Sequence, residues 1–226
     1  CEKLRSSQNR MKRFYTALLV ALIPTIGFSQ STLQSVSAIF QANCTVGCHS
    51  GGSPSANLDL SGSPSDLMDA LVNVDPLNPA AQAKGYKLVD PGYPHNSFLL
   101  YKCAYPEWDD QFGMDVAEGQ SMPPVGQNEL AKEDIELIRQ WIIYGAKQNG
   151  TAIDPQTLAD YYNDNGMARI AKPDAPVNGF QMHLGPFFLE PGEEVEFYKK
   201  EKVFNEEEEN VTRFDAIFND ESHHFL

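Results

Sequence analysis

Six residues set the first constraint: Cys44-Thr45-Val46-Gly47-Cys48-His49. Two thiols and an imidazole confined to one short loop have three common uses. They can close a disulfide beside an unrelated histidine. They can bind zinc, although no convincing fourth ligand stands nearby. They can hold a covalent haem, with both sulfurs bonded to the ring and the imidazole on the iron. Haem attachment usually places two residues between the cysteines, and here there are three. Gly47 reaches positive φ without steric cost, which would let the extra residue bulge outward. By themselves these residues leave the disulfide and the haem balanced.

The flanking chain narrows the choice. Ser31-Thr32-Leu33-Gln34 fits a capping box, and Leu33, Val36 and Phe40 recur at helical spacing, so a helix runs directly into the Cys44 loop. A second axial ligand for iron comes from a distant loop as a thioether or imidazole. Met122, in Gln120-Ser121-Met122-Pro123-Pro124, is the favoured candidate because two prolines restrain its loop. Met114 is a competitor in an acidic stretch, and His95 reads as a surface residue. The strongest helical pattern follows over about 131–146. Leu137, Ile138, Trp141, Ile142 and Gly145 form one face, and Lys132, Glu133, Glu136, Arg139 and Gln140 form the other, predicted to face water. Gly145 is expected to permit close approach of another helix.

These patterns predict a multidomain chain, α then β. Residues 1–10 read as an upstream non-native segment. Residues 11–29, with Met11-Lys12-Arg13 before a short apolar run broken by Pro24, read as a signal peptide. A small all-α domain spans 30–149, and a linker with one short helix covers 150–178. After Gly179 the hydrophobic period changes to two: Phe180, Met182 and Leu184 alternate, as do Val195 with Phe197, and Phe214 with Ala216 and Phe218. Residues 179–226 are therefore expected to form the first strands of an incomplete, truncated antiparallel β-sandwich of jelly-roll type. His183, in the opposite phase, reads as solvent-facing.

The net charge of −14 becomes more negative still once the first 29 residues are removed. So acidic a surface repels phosphate backbones and excludes nucleic acid as a natural partner. No membrane span is expected after signal cleavage, and export places the chain in the periplasm or outside the cell. Cys103 is left over from any pairing of Cys44 with Cys48.

Two stretches carry a family resemblance. The order Cys–Cys-His, "LDLSG", "DPGYPHNSFLLYK", "MPP" and "EDIELIRQWIIYGA" resembles the cytochrome c domains of exported bacterial multidomain proteins, over residues 35–148. The resemblance implies haem c on Cys44 and Cys48, with His49 and Met122 as axial iron ligands. "GPFFLEPGEE" and the terminal "SHHFL" resemble the opening of the copper type II, ascorbate-dependent monooxygenases. That implies His223 and His224 as ligands of one copper ion and a parent protein that is an oxidoreductase. The function expected is electron transfer through the haem, to small redox proteins or to the fused copper domain. The alternative is a non-redox extracellular binding or adhesion module with a Cys44–Cys48 disulfide.

Overall fold

The computed structural model describes residues 30–106, 108–127, 129–166, 171, 173–182, 185–189, 192–196 and 210–218. The expected signal peptide, His183, His223 and His224 lie outside these residues.

Helix α1 (Thr32–Asn43) starts on the capping box read from the sequence. The Gln34 N–H donates to Ser31 Oγ at 3.3 Å, and the Ser31 N–H to Gln34 Oε1 at 2.9 Å. Helix α2 (Pro64–Leu71) has a second capping box, Ser63 with Asp66, and Pro64 at its first position, where no N–H is needed. Short helices α3 (Pro79–Ala83), α4 (Phe98–Ala104) and α5 (Asp109–Phe112) follow. A 3-10 turn at Val116–Glu118 comes after α5. Helix α6 (Lys132–Ile143) and helix α7 (Pro155–Tyr162) complete the helical body.

Helix α6 is the centre of this body, packing against α1, α4 and α7. Leu33, Val36 and Phe40 of α1 meet a core that includes Ile135, Ile138, Trp141 and Ile142 of α6, Leu100 of α4 and Leu158 of α7. Burial of each large apolar side chain contributes about 1.5–3 kcal/mol. Gly145 serves a different purpose from the one expected. It sits at φ +89° just past the helix end, with the Gly145 N–H on the Ile142 carbonyl and the Ala146 N–H on that of Trp141. This is a Schellman stop, in which a left-handed residue lets the last carbonyls be satisfied.

The predicted β-sandwich is not formed. Among the described residues there is no strand, only isolated bridges pairing Val72 with Val89 and Lys87 with Ser97. In the region expected to supply strands, Phe180, Met182, Phe214 and Phe218 are about half exposed or more. Alternation places side chains on two faces, but a strand also needs a neighbour to complete its ladder and a layer to cover its apolar face. The described parts of 179–226 form no such ladder. Among the described residues, no helix is long and apolar enough to cross a membrane.

Candidate functional site

The Cys44–His49 loop grows out of the end of α1. Cys44 caps the helix, its N–H donating to the Phe40 carbonyl at 2.7 Å, and Thr45 Oγ1 donates to the Gln41 carbonyl at 2.8 Å. Thr45–Cys48 then forms a turn, with the Cys48 N–H on the Thr45 carbonyl at 3.4 Å. Gly47, third in that turn, lies at φ +77°, and an added Cβ would meet nothing within 4 Å. Turns with positive φ at this position favour glycine. The three-residue spacer is thus one complete turn, and it bulges into solvent with Val46 85% exposed.

His49 is buried and held from two sides. Its N–H donates to the Cys44 carbonyl at 3.0 Å, and its own carbonyl accepts from the Leu60 N–H at 2.8 Å. The ring Nδ1 lies 3.0 Å from the Leu58 carbonyl. A carbonyl only accepts, so Nδ1 is the donor here, and in the neutral ring Nε2 then keeps its lone pair. This arrangement orients an imidazole for metal ligation through Nε2. The Leu58 contribution was not anticipated from the sequence, where "LDLSG" was the only signal of it.

Cys44 and Cys48 are not joined by a disulfide; Cys44 is half-buried and Cys48 exposed. Burial pushes the Cys44 thiol up from 9.0 to about 11, with the neighbouring Cys48 adding to the effect. Cys103, buried in α4, is also unbonded. Burial raises its thiol pKa too, and the charge of Cys44 contributes second. The C-terminal part of α4 therefore lies near the Cys44 loop.

Met122 approaches α4 as well. Its N–H donates to the Lys102 carbonyl at 2.8 Å, while the Lys102 ammonium donates to the carbonyls of Glu118 at 2.5 Å and Gln120 at 2.8 Å. Burial lowers the pKa of Lys102, with the Glu118 carboxylate opposing. Lys102, the residue preceding Cys103, thus ties the Met122 loop to α4. The Met122 side chain is 37% exposed, whereas Met114 packs partly buried against the core. His95 stacks on Phe112, ring centroids 4.7 Å apart and 6° from parallel.

The donor chemistry fits a covalent haem. Among the described residues, no group of three or more His, Cys, Asp or Glu side chains is arranged to hold a metal ion. Zinc needs ligands that converge on one point, whereas haem takes its sulfurs at the ring edge and its imidazole at the centre. Two unbonded thiols on either side of one turn and an imidazole with a free Nε2 suit the spread arrangement. Two cavities lie elsewhere. One of about 400 Å³ is lined by Asp75, Gln82, Gly85, Tyr86 and Lys87, and one of about 140 Å³ lies against α6 and α7.

Comparison of the chain with protein-family models, with curated proteins and with solved structures found no match.

Proposed function

We propose that the helical body is an exported electron-transfer module that holds haem c on Cys44 and Cys48, with His49 and Met122 as the axial iron ligands. The observation that carries this reading is the His49–Leu58 hydrogen bond, which leaves Nε2 free in a loop with two unpaired thiols. When bound, such a haem supplies a one-electron iron couple, and His/Met ligation favours a comparatively high potential. Cys44 and Cys48 would tether the group as thioethers. The Leu58 bond holds the His49 ring in one orientation, in which it would present Nε2 to the iron. Lys102 positions the Met122 loop through its main-chain contacts. The acidic surface suits a basic redox partner. Delivery of electrons to copper at His223 and His224 is inferred from the order of the two stretches along the chain.

The test is expression of the full chain in a host that attaches c-type haem. A red protein whose haem survives acid–acetone extraction supports the reading, and a colourless, folded product refutes it. Met122→Ala should abolish the thioether-to-iron absorption band at the red end of the spectrum. Loss of that band in Met114→Ala instead would reassign the ligand.

A further inference from the structure

The C-terminal part of the polar face of α6 does not face water, although Lys132 at its start is exposed. Glu136, Arg139 and Gln140 are 1%, 4% and 0% exposed. Helix α7 covers part of this row, and the segment Gly185–Leu189, more than forty residues further on, covers another part. The contacts with that segment are made largely to its main chain. The Arg139 guanidinium and Gln140 Nε2, the latter at 3.0 Å, both donate to the Pro186 carbonyl. The Tyr144 hydroxyl donates to the Phe188 carbonyl at 2.5 Å. The two accepting carbonyls are two residues apart, the spacing at which an extended chain repeats on one side.

Side chains add to these bonds. The Phe188 ring meets Tyr161 edge-on, with centroids 5.4 Å apart, and packs against the helical core. Gly185 is buried at φ +104°, where an L side chain is strained. Gly185 and Pro186 border the 140 Å³ cavity together with Trp108, Glu136, Arg139 and Tyr162. By contrast, residues 173–180 of the connector are exposed throughout.

We propose that the α6–α7 face is a docking site that reads the main chain of Gly185–Leu189, and that this segment is a clasp fixing the C-terminal part of the chain to the helical body. The polypeptide beyond Leu189 then departs from beside α6 and α7, whatever conformation the connector takes. Release of the clasp removes one acceptor from a buried guanidinium and uncovers an ion pair, so the closed state is favoured. The clasp does not depend on the haem reading, because none of its residues is a proposed haem ligand.

Limited chymotrypsin digestion of the full chain, read by intact mass, tests this directly. Phe180 in the connector is 52% exposed and serves as the internal reference. Cleavage at Phe180 should be at least about tenfold faster than at Phe187 or Phe188, because the docked sites are cut only after opening. Tyr144→Phe deletes one hydroxyl from the docking face and should narrow that ratio severalfold, with helical circular dichroism unchanged. If Tyr144→Phe loses its helical signal, Phe188→Ala, which trims the clasp itself, should narrow the ratio at Phe187. Equal cleavage at Phe180 and in the clasp of the native chain overturns the proposal. So does an unchanged ratio in a folded Tyr144→Phe or in Phe188→Ala.

Discussion

The His49 ring donates through Nδ1 to the Leu58 carbonyl across 3.0 Å, and two residues on from Leu58 the Leu60 N–H returns a bond to the His49 carbonyl. The pair closes the loop from 49 to 60 around an imidazole whose Nε2 is left available. His49→Ala should therefore loosen the haem-free chain, costing about 1 kcal/mol for the lost hydrogen bond plus the contacts of the buried ring. Denaturant unfolding measures the loss, and hydrogen exchange at the Leu60 amide should quicken. Unchanged exchange at Leu60 would mean that the ring does not pin this loop.

Gly47 gives a second prediction. It stands at φ +77° with open space where a Cβ would be, so Gly47→Ala meets no clash and suffers only the left-handed backbone penalty. That penalty is about 1–2 kcal/mol. Gly47→Asn, which tolerates this region better, should lose less. Thermal melts of the two variants test the order, and equal losses would show that the turn relaxes to another form.

Thiol reactivity should separate the three cysteines. Cys48 is exposed and should be alkylated first; Cys44 should lag until the pH approaches about 11; Cys103 should react only on unfolding. The same shift links to stability. The folded pKa of Cys44 lies above its ordinary 9.0, so the folded state holds this proton more tightly than the unfolded state. The contribution is fully present below pH 9 and disappears as pH rises through about 11. Cys44→Ser should flatten that part of the pH–stability curve, as judged by urea midpoints.

Glu136 and Arg139 form a buried pair, with Arg139 Nη2 2.7 Å from Glu136 Oε1 and side chains 1% and 5% exposed. Glu136→Gln leaves the guanidinium without its countercharge and should destabilise by about 3–5 kcal/mol. Replacing both, as Glu136→Gln with Arg139→Met, should cost less than Glu136→Gln alone. A double-mutant cycle by chemical denaturation decides, and strict additivity would mean that the pair is not coupled.

Much of the local structure was legible beforehand. The Ser31–Gln34 box, the amphipathic pattern behind α6 and the need for a glycine in the Cys44–Cys48 turn are short-range signals. Each fixes dihedrals or periodicity within a few residues, and the structure shows each in place. The covered polar row of α6 was not legible. Glu136, Arg139 and Gln140 carry the pattern of a solvated face, and α7 and the distant Gly185–Leu189 segment are among the neighbours that cover them.

The period-two pattern after Gly179 misled for the same reason. It is compatible with strands, yet strand formation depends on a hydrogen-bonding neighbour that the described residues do not supply. The sequence by itself determined the caps, the turn at Gly47 and the donor set at Cys44, Cys48 and His49, because these are properties of contiguous residues. Tertiary structure alone decided the orientation of the His49 ring through Leu58, the anchoring of Met122 through Lys102 and the clasp on α6. Each depends on a main-chain carbonyl, which every residue carries and no sequence pattern marks.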